Sequence, residues 1–445
     1  MRPVFDLIVA NGTLVNHDGV GPGDVGVRDG RIAAIGDLAH ADAGERIDAT
    51  GLHVLPGLID SQVHFREPGL EWKDDLKTGA DAAVLGGICT VFEMPNTEPP
   101  TTTLAMLHDK IARATGRMSC DFAFYAGGTH DNVADLVEME RHVGCAGVKV
   151  FMGASTGSLL VADDEGVARI LKAIRRRAAF HSEDEFRLAE RRALARPGDW
   201  ASHPEVRDVE AAVSSTRRLL RIARAAGKRI HVLHISTAEE MDILKDNKDV
   251  ASVEVLPNHL TLAAPDAYDR LKGKAQQNPP IREARHRDAL WAALRAGVVD
   301  VIGSDHAPHT EEEKARPYPA SPSGTPGVQT MLPVMLTHVA EGRLTIERLV
   351  DLLAHGPQRV FGLADKGRMA VGFHGDLTLV DLKARRVIRD DWIASKSRWT
   401  PFQGMEAKGW PIMTIVRGRI VMRDDAIVAA GQGAPARFLE ALPAA

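Results

Sequence analysis

Cysteine, tyrosine and any large excess of one charge are scarce in this 445-residue chain, and each scarcity removes a class of protein. Its three cysteines, Cys89, Cys120 and Cys145, form no CxxC pair and cannot all pair with one another, so a disulfide framework is excluded. Each sits in an apolar, strand-like stretch (ICTVF, CDFAFY, CAGVKVF), which marks them as small packing residues in a reducing cytoplasm. A formal net charge of -5 and a pI near 6.4 leave no basic footprint for nucleic acid or for a membrane surface. No apolar run is long enough to cross a bilayer, and the opening MRPVFDLIVANGTLV lacks the basic and long apolar regions of a signal peptide. The cytoplasm is the expected location. Walker A and HExxH sequences are absent. Gly21-Pro22-Gly23-Asp24-Val25-Gly26 fits GxGxxG, but strand-like VRDGRI follows it in place of a helix, so it reads as a turn without a pyrophosphate site.

What remains is ordinary globular composition, 44% hydrophobic and 26% charged, with length for a large core and an accessory domain. The first fifty residues read as short strands with turns (DLIVANGTLV, DVGVRDGRIAAIG), and Asn11-Gly12 and Asp29-Gly30 are hairpin-type dipeptides. Similar strands resume after about residue 371 (GDLTLVDL, TIVRGRIVM). Between them, strand candidates at 53–65, 88–95, 120–126, 146–152, 178–183, 229–236, 251–257 and 298–305 alternate with helical segments. The clearest helices are 74–86, 164–177, 207–227 and 286–296. Eight strand–helix units predict an α/β fold, a (β/α)8 TIM-like barrel, with a small β-sandwich domain formed from both chain ends. The expected domains are 1–52 (sandwich, first part), 53–371 (barrel) and 372–445 (sandwich, second part, and tail). The Pro- and Gly-rich tract 311–327 breaks the rhythm and predicts a loop over the catalytic face.

Several strand candidates end in metal-binding residue types. Gln62 and His64, two apart on one strand, face the same side; His181, His234 and Asp305 close later strands. Nitrogen and oxygen donors gathered at the C-terminal ends of barrel strands suit zinc in an open, catalytic coordination. Lys149 lies among apolar residues in AGVKVFM. An unpaired buried ammonium is costly, so two readings stand: a neutral amine that takes up carbon dioxide as a metal-bridging carbamate, or a salt bridge to an acid inside the barrel.

The motifs VHFREPG (63–69), FEMPNT (92–97), GVKVFMG (147–153), FHSED (180–184), HVLHIST (231–237), NPPIR (278–282) and GSDHAPH (303–309) occur in the order and spacing of one family. Over nearly its whole length the chain resembles the dihydroorotases of the amidohydrolase superfamily. The resemblance implies a zinc-dependent cyclic amidohydrolase that interconverts N-carbamoyl-L-aspartate and dihydroorotate in de novo pyrimidine (UMP) biosynthesis. It implies one or two zinc ions: His64 on the more buried one, His181 and His234 on the more exposed one, carbamylated Lys149 between them. Asp305 is then both ligand and general acid/base, and Arg66, Asn96, Asn278 and His309 hold the substrate, helped by backbone near 322–327. Gln62 departs from the pattern, because the family carries a histidine there; one tightly bound zinc is the expectation. A small-molecule substrate and a homodimer are expected, with aspartate transcarbamoylase as a possible partner. The competing readings are another cyclic amidase (hydantoinase or allantoinase) and a catalytically impaired partner of the transcarbamoylase.

Overall fold

The computed structural model describes residues 4–153 and 159–441, so the extreme tips of both end segments lie outside the described residues. Eight parallel strands run in sequential order: Leu58–Val63, Ile88–Glu93, Asp121–Gly127, Cys145–Phe151, Ala178–His181, Ile230–Val232, Ala251–Val255 and Val301–Ile302. The sheet closes where His64 N–H donates to the His306 carbonyl at 2.7 Å, beside a parallel bridge between Val63 and His306. This is the expected (β/α)8 barrel. Its interior is packed by Ile59, Phe92, Ala123, Tyr125, Ala146, Ala179, Leu233 and Val301, large rings set against alanines. Phe438, from the C-terminal segment, plugs the lower end against Phe92, while the outward strand faces pack on the helices.

The helices form where the apolar period predicts them, at Leu76–Leu85, Asp164–Ala173, Val209–Ala226 and Ala284–Arg295. The first three carry side-chain caps from Asp75, Asp163 and Asp208, each accepting an otherwise unpaired backbone N–H. Val209–Ala226 stops at Gly227, which is left-handed at φ 64.

Both chain ends build one nine-stranded, mainly antiparallel sheet that folds over a core including Leu7, Val25, Val54, Leu379 and Ile415. Three local expectations need correction. The 53–65 candidate divides: His53–Pro56 pairs with Leu377–Val387 of this sheet, and only Leu58–Val63 enters the barrel. Asn11-Gly12 makes a bulge inside the strand Phe5–Asn16, not a hairpin, whereas Asp29-Gly30 does turn between Gly19–Arg28 and Arg31–Gly36. The GxGxxG string is part of the strand Gly19–Arg28 and not a turn, because its residues pair with Phe5–Asn16; no helix follows it. All three cysteines are buried and free. Among the described residues no helix is long and apolar enough to cross a membrane.

Candidate active site

A cavity of about 180 Å³ opens at the C-terminal end of the barrel. It is lined by all ten residues singled out in the sequence: Gln62, His64, Arg66, Asn96, Lys149, His181, His234, Asn278, Asp305 and His309. Convergence follows largely from strand geometry, since all but Asn278 stand at or shortly beyond a strand end, and Asn278 reaches the mouth from the long connection between Ala251–Val255 and Val301–Ile302. Three of them hold left-handed backbone without being glycine: Arg66 (φ 68), His234 (φ 38) and Asp305 (φ 47). Such positions cost free energy and concentrate where a fold must aim a side chain.

Lys149 is aimed by a bulge. The pairing register shifts between Cys145 and Gly147, and Gly147 sits at φ 121, which a side chain would oppose. Val148 and Val150 therefore face the helices, and Lys149 faces the mouth. Lys149 is 1% exposed, with Nζ 4.5 Å from the centre of the Phe151 ring. No carboxylate lies within 4.0 Å of Nζ among the described residues, so the salt-bridge alternative finds no partner. Burial lowers its pKa to about 7, which leaves much of the amine neutral at neutral pH.

His181 Nδ1 and His234 Nε2 face each other at 3.0 Å. Glu183, fully buried, accepts from His181 Nε2 at 2.7 Å and is itself gripped by Arg207. That hydrogen bond puts the His181 proton on Nε2 and leaves Nδ1 as a donor of electrons to the cavity. His234 Nδ1 finds no partner, and burial holds both imidazoles below their ordinary pKa. Two neutral imidazoles aimed at one point beside a buried amine fit a divalent cation.

A second grouping lies across the mouth. His64 Nδ1 is 2.7 Å from Asn96 Oδ1, which can only accept, so Nε2 carries the free electron pair and faces Asp305 Oδ1 at 3.2 Å. Gln62 Nε2 donates to the same oxygen at 3.0 Å, and Gln62 Oε1 is buried without a partner. These donors also fit a cation, with one imidazole fewer than the first site. A different cluster, Asp121, His374 and Asp376, could be mistaken for a metal site. It lies at the opposite end of the barrel, and the Lys366 ammonium already sits 2.5 Å from Asp121 and 2.6 Å from Asp376.

Arg66 is 7% exposed, and no carboxylate pairs with it within 4.0 Å among the described residues. Its Nε donates to the Pro308 carbonyl at 3.1 Å, and Nη2 approaches His309 Nε2 at 3.2 Å. Desolvation lowers its pKa to about 10, against the pull of more distant acids, and it remains charged. Asn96 gives its oxygen to His64, which leaves its amide N–H for the cavity. Asn278 Oδ1 accepts from His203 Nε2 at 3.0 Å.

The tract 311–327 is not wholly loop, since Glu311–Lys314 is one helical turn closed by a Thr310/Glu313 capping box. Its far end joins the cavity wall through Ser323 and Gly324. Lys314 pins it by donating to the carbonyls of Gln276, Pro322 and Gly324. A Cβ on Gly324 would stand 2.5 Å from the Ala307 carbonyl and 3.1 Å from the His309 ring, so only glycine admits this approach.

Sequence reading missed Glu183, Arg207, His203 and Lys73, which hold the lining residues from behind. Glu183 had a signal, an acid two positions beyond His181. Arg207, His203 and Lys73 had none, because they reach the site from other segments.

Against known families, residues 53–421 match the amidohydrolase family. A protein named dihydroorotase from Methanosarcina acetivorans is 35% identical over 98% of this chain and 95% of its own length. One named L-hydantoinase from Paenarthrobacter aurescens is 33% identical over 94% of each. Among solved structures, an L-hydantoinase (dihydropyrimidinase) from Arthrobacter aurescens superposes with a TM-score of 0.93 at 31% identity, over 97% of this chain and 100% of that one.

Proposed function

The chain belongs to the amidohydrolase family, and on that premise we propose that it is a dihydroorotase, closing N-carbamoyl-L-aspartate to dihydroorotate and reopening it. Relatives named dihydroorotase and hydantoinase are about equally similar, so the choice between them rests on the site. The observation that carries it is Arg66: a buried guanidinium that lines the cavity without a carboxylate partner of its own. An uncompensated buried charge is costly, and a ligand carboxylate would relieve that cost. Dihydroorotate and carbamoyl-aspartate carry that carboxylate; hydantoin and dihydrouracil rings do not.

His181, His234 and Lys149, the lysine as its carbamate, would hold a zinc ion, with His64 and Asp305 available to a second. Bound zinc supplies an activated water at neutral pH and a Lewis acid for the amide carbonyl. The protein's own groups do the rest. Arg66 grips the carboxylate as a planar fork, and Asn96, Asn278 and His309 fix the polar edges of the ring. Asp305 moves one proton between the water and the ring nitrogen, in opposite senses for opening and closure. On this proposal the enzyme would serve de novo pyrimidine synthesis in the cytoplasm.

The second reading, a hydantoinase, is favoured by the L-hydantoinase structure that superposes on the fold. It leaves Arg66 without a counter-charge. Initial rates on dihydroorotate, hydantoin and dihydrouracil with one zinc-loaded preparation separate the two. Preference for the uncharged rings would overturn the dihydroorotase proposal.

A further inference from the structure

His108 and His142 face each other on the outside of the barrel, and neither lines the active-site cavity. His108 is exposed on the helix Leu104–Ala114. His142 is half-buried in the turn between the helix Val133–Met139 and the strand Cys145–Phe151. His108 Nε2 is 3.4 Å from His142 Nδ1, with the ring centres 5.0 Å apart and the ring planes crossed at 70°. Among the described residues no carboxylate pairs with either ring, and the adjacent Asp109 is taken by Arg113 at 2.6 Å.

A 3.4 Å contact is long for a hydrogen bond, and water competes for both rings, so that bond by itself contributes little. The spacing suits a shared cation better. Two Zn–N bonds of about 2.0–2.1 Å, meeting at the tetrahedral angle, hold their nitrogens roughly 3.3–3.4 Å apart. The cation takes the place of the proton between the rings. Each imidazole then keeps its one proton on the outer nitrogen, His108 Nδ1 and His142 Nε2, where solvent accepts it. Only side-chain torsions need adjust, because both backbones are already fixed. His108 lies within a helix capped by Thr103, and His142 donates its N–H to the Met139 carbonyl at 3.0 Å and accepts from the Cys145 N–H at 3.1 Å. Such preorganisation lowers the ordering cost of binding. Two imidazole donors favour zinc, nickel or copper over magnesium or calcium. Among the described residues no third imidazole, thiol or carboxylate converges on the pair, so water completes the shell and the ion exchanges readily.

We propose that His108 and His142 form a separate metal site on the barrel's outer surface, which takes a borderline divalent cation such as zinc and ties the helix Leu104–Ala114 to the turn entering Cys145–Phe151. The site does not depend on the dihydroorotase reading. A weak chelator strips its ion, so it stays out of a zinc count taken after such dialysis. The test adds zinc to zinc-loaded, 15N-histidine-labelled protein in a non-coordinating buffer and follows the imidazole signals together with the zinc taken up at equilibrium dialysis. The two signals are identified by their loss in His108→Gln and in His142→Gln. In wild type both should shift together and saturate. Each variant should bind this zinc about tenfold or more weakly, since losing even an outer partner of a ligand costs that much, and should hold one exchangeable ion fewer at the zinc level that saturates wild type. Magnesium at the same concentration should move neither signal. Equal exchangeable zinc in wild type and both variants would overturn the proposal, as would His108 and His142 signals that stay still in zinc. An equal response to magnesium would mark general screening by salt and would overturn it too.

Discussion

Gln62 donates its side-chain N–H to Asp305 Oδ1 at 3.0 Å, while its own carbonyl oxygen, buried, finds no partner. The amide thus occupies the flank of Asp305 on which the resembling motif carries an imidazole. An amide oxygen suits harder cations than zinc, so the position shared by Gln62, His64 and Asp305 should hold zinc weakly. Elemental analysis of purified protein should find fewer than two zinc ions per chain after dialysis against a weak chelator. Gln62→His should bring the content towards two. Two equally retained ions in wild type would show that the glutamine is no handicap.

Lys149 should carry a carbamate. Only a neutral amine reacts with carbon dioxide, and burial brings the lysine pKa down from 10.5 to about 7. The neutral fraction therefore rises steeply between pH 6 and pH 8. In protein supplied with 13C-bicarbonate, a carbamate resonance should grow across that range and be missing from Lys149→Ala. A resonance that emerges only near pH 10 would mean that the amine keeps its ordinary pKa.

Arg66→Lys should lower kcat/KM for dihydroorotate by roughly 10- to 100-fold, the equivalent of about 1.5–3 kcal/mol for a charge-assisted hydrogen bond, because a point charge cannot reproduce a planar fork. Any activity on hydantoin should change far less. Equal losses on both substrates would remove the carboxylate from the argument.

Lys366 bridges Asp121 and Asp376 beneath the barrel, where it is 3% exposed. Lys366→Met leaves two buried carboxylates with only Arg417 and the His374 imidazole beside them, and breaking such a pair costs about 3–5 kcal/mol. Thermal unfolding should show a clear fall in Tm, and wild-type protein should bind no divalent cation there. A Tm unchanged in Lys366→Met would contradict the structural role.

Much of the fold was legible because the barrel strands are short apolar runs bounded by turn residues and separated by helices of clear period. The split of 53–65 was not, since Leu55 and Leu58 are equally apolar and only strand pairing assigns one to the sandwich sheet and the other to the barrel. The metal-binding types among the cavity residues were legible because strand ends carry them, whereas Arg66, Asn96, Asn278 and His309 were legible only through the resembling motifs. Their supports were not: Lys73, His203 and Arg207 reach His309, Asn278 and Glu183 across distances in sequence that no local pattern records. The aim of Lys149 depended on a bulge at Gly147, which the apolar run AGVKVFM conceals.

The most direct measurement is dihydroorotate ring opening by zinc-loaded protein, run beside hydantoin and beside the Asp305→Ala variant. Turnover should favour dihydroorotate and vanish in Asp305→Ala. Folded, metal-loaded wild-type protein that leaves dihydroorotate untouched in both directions would contradict the account.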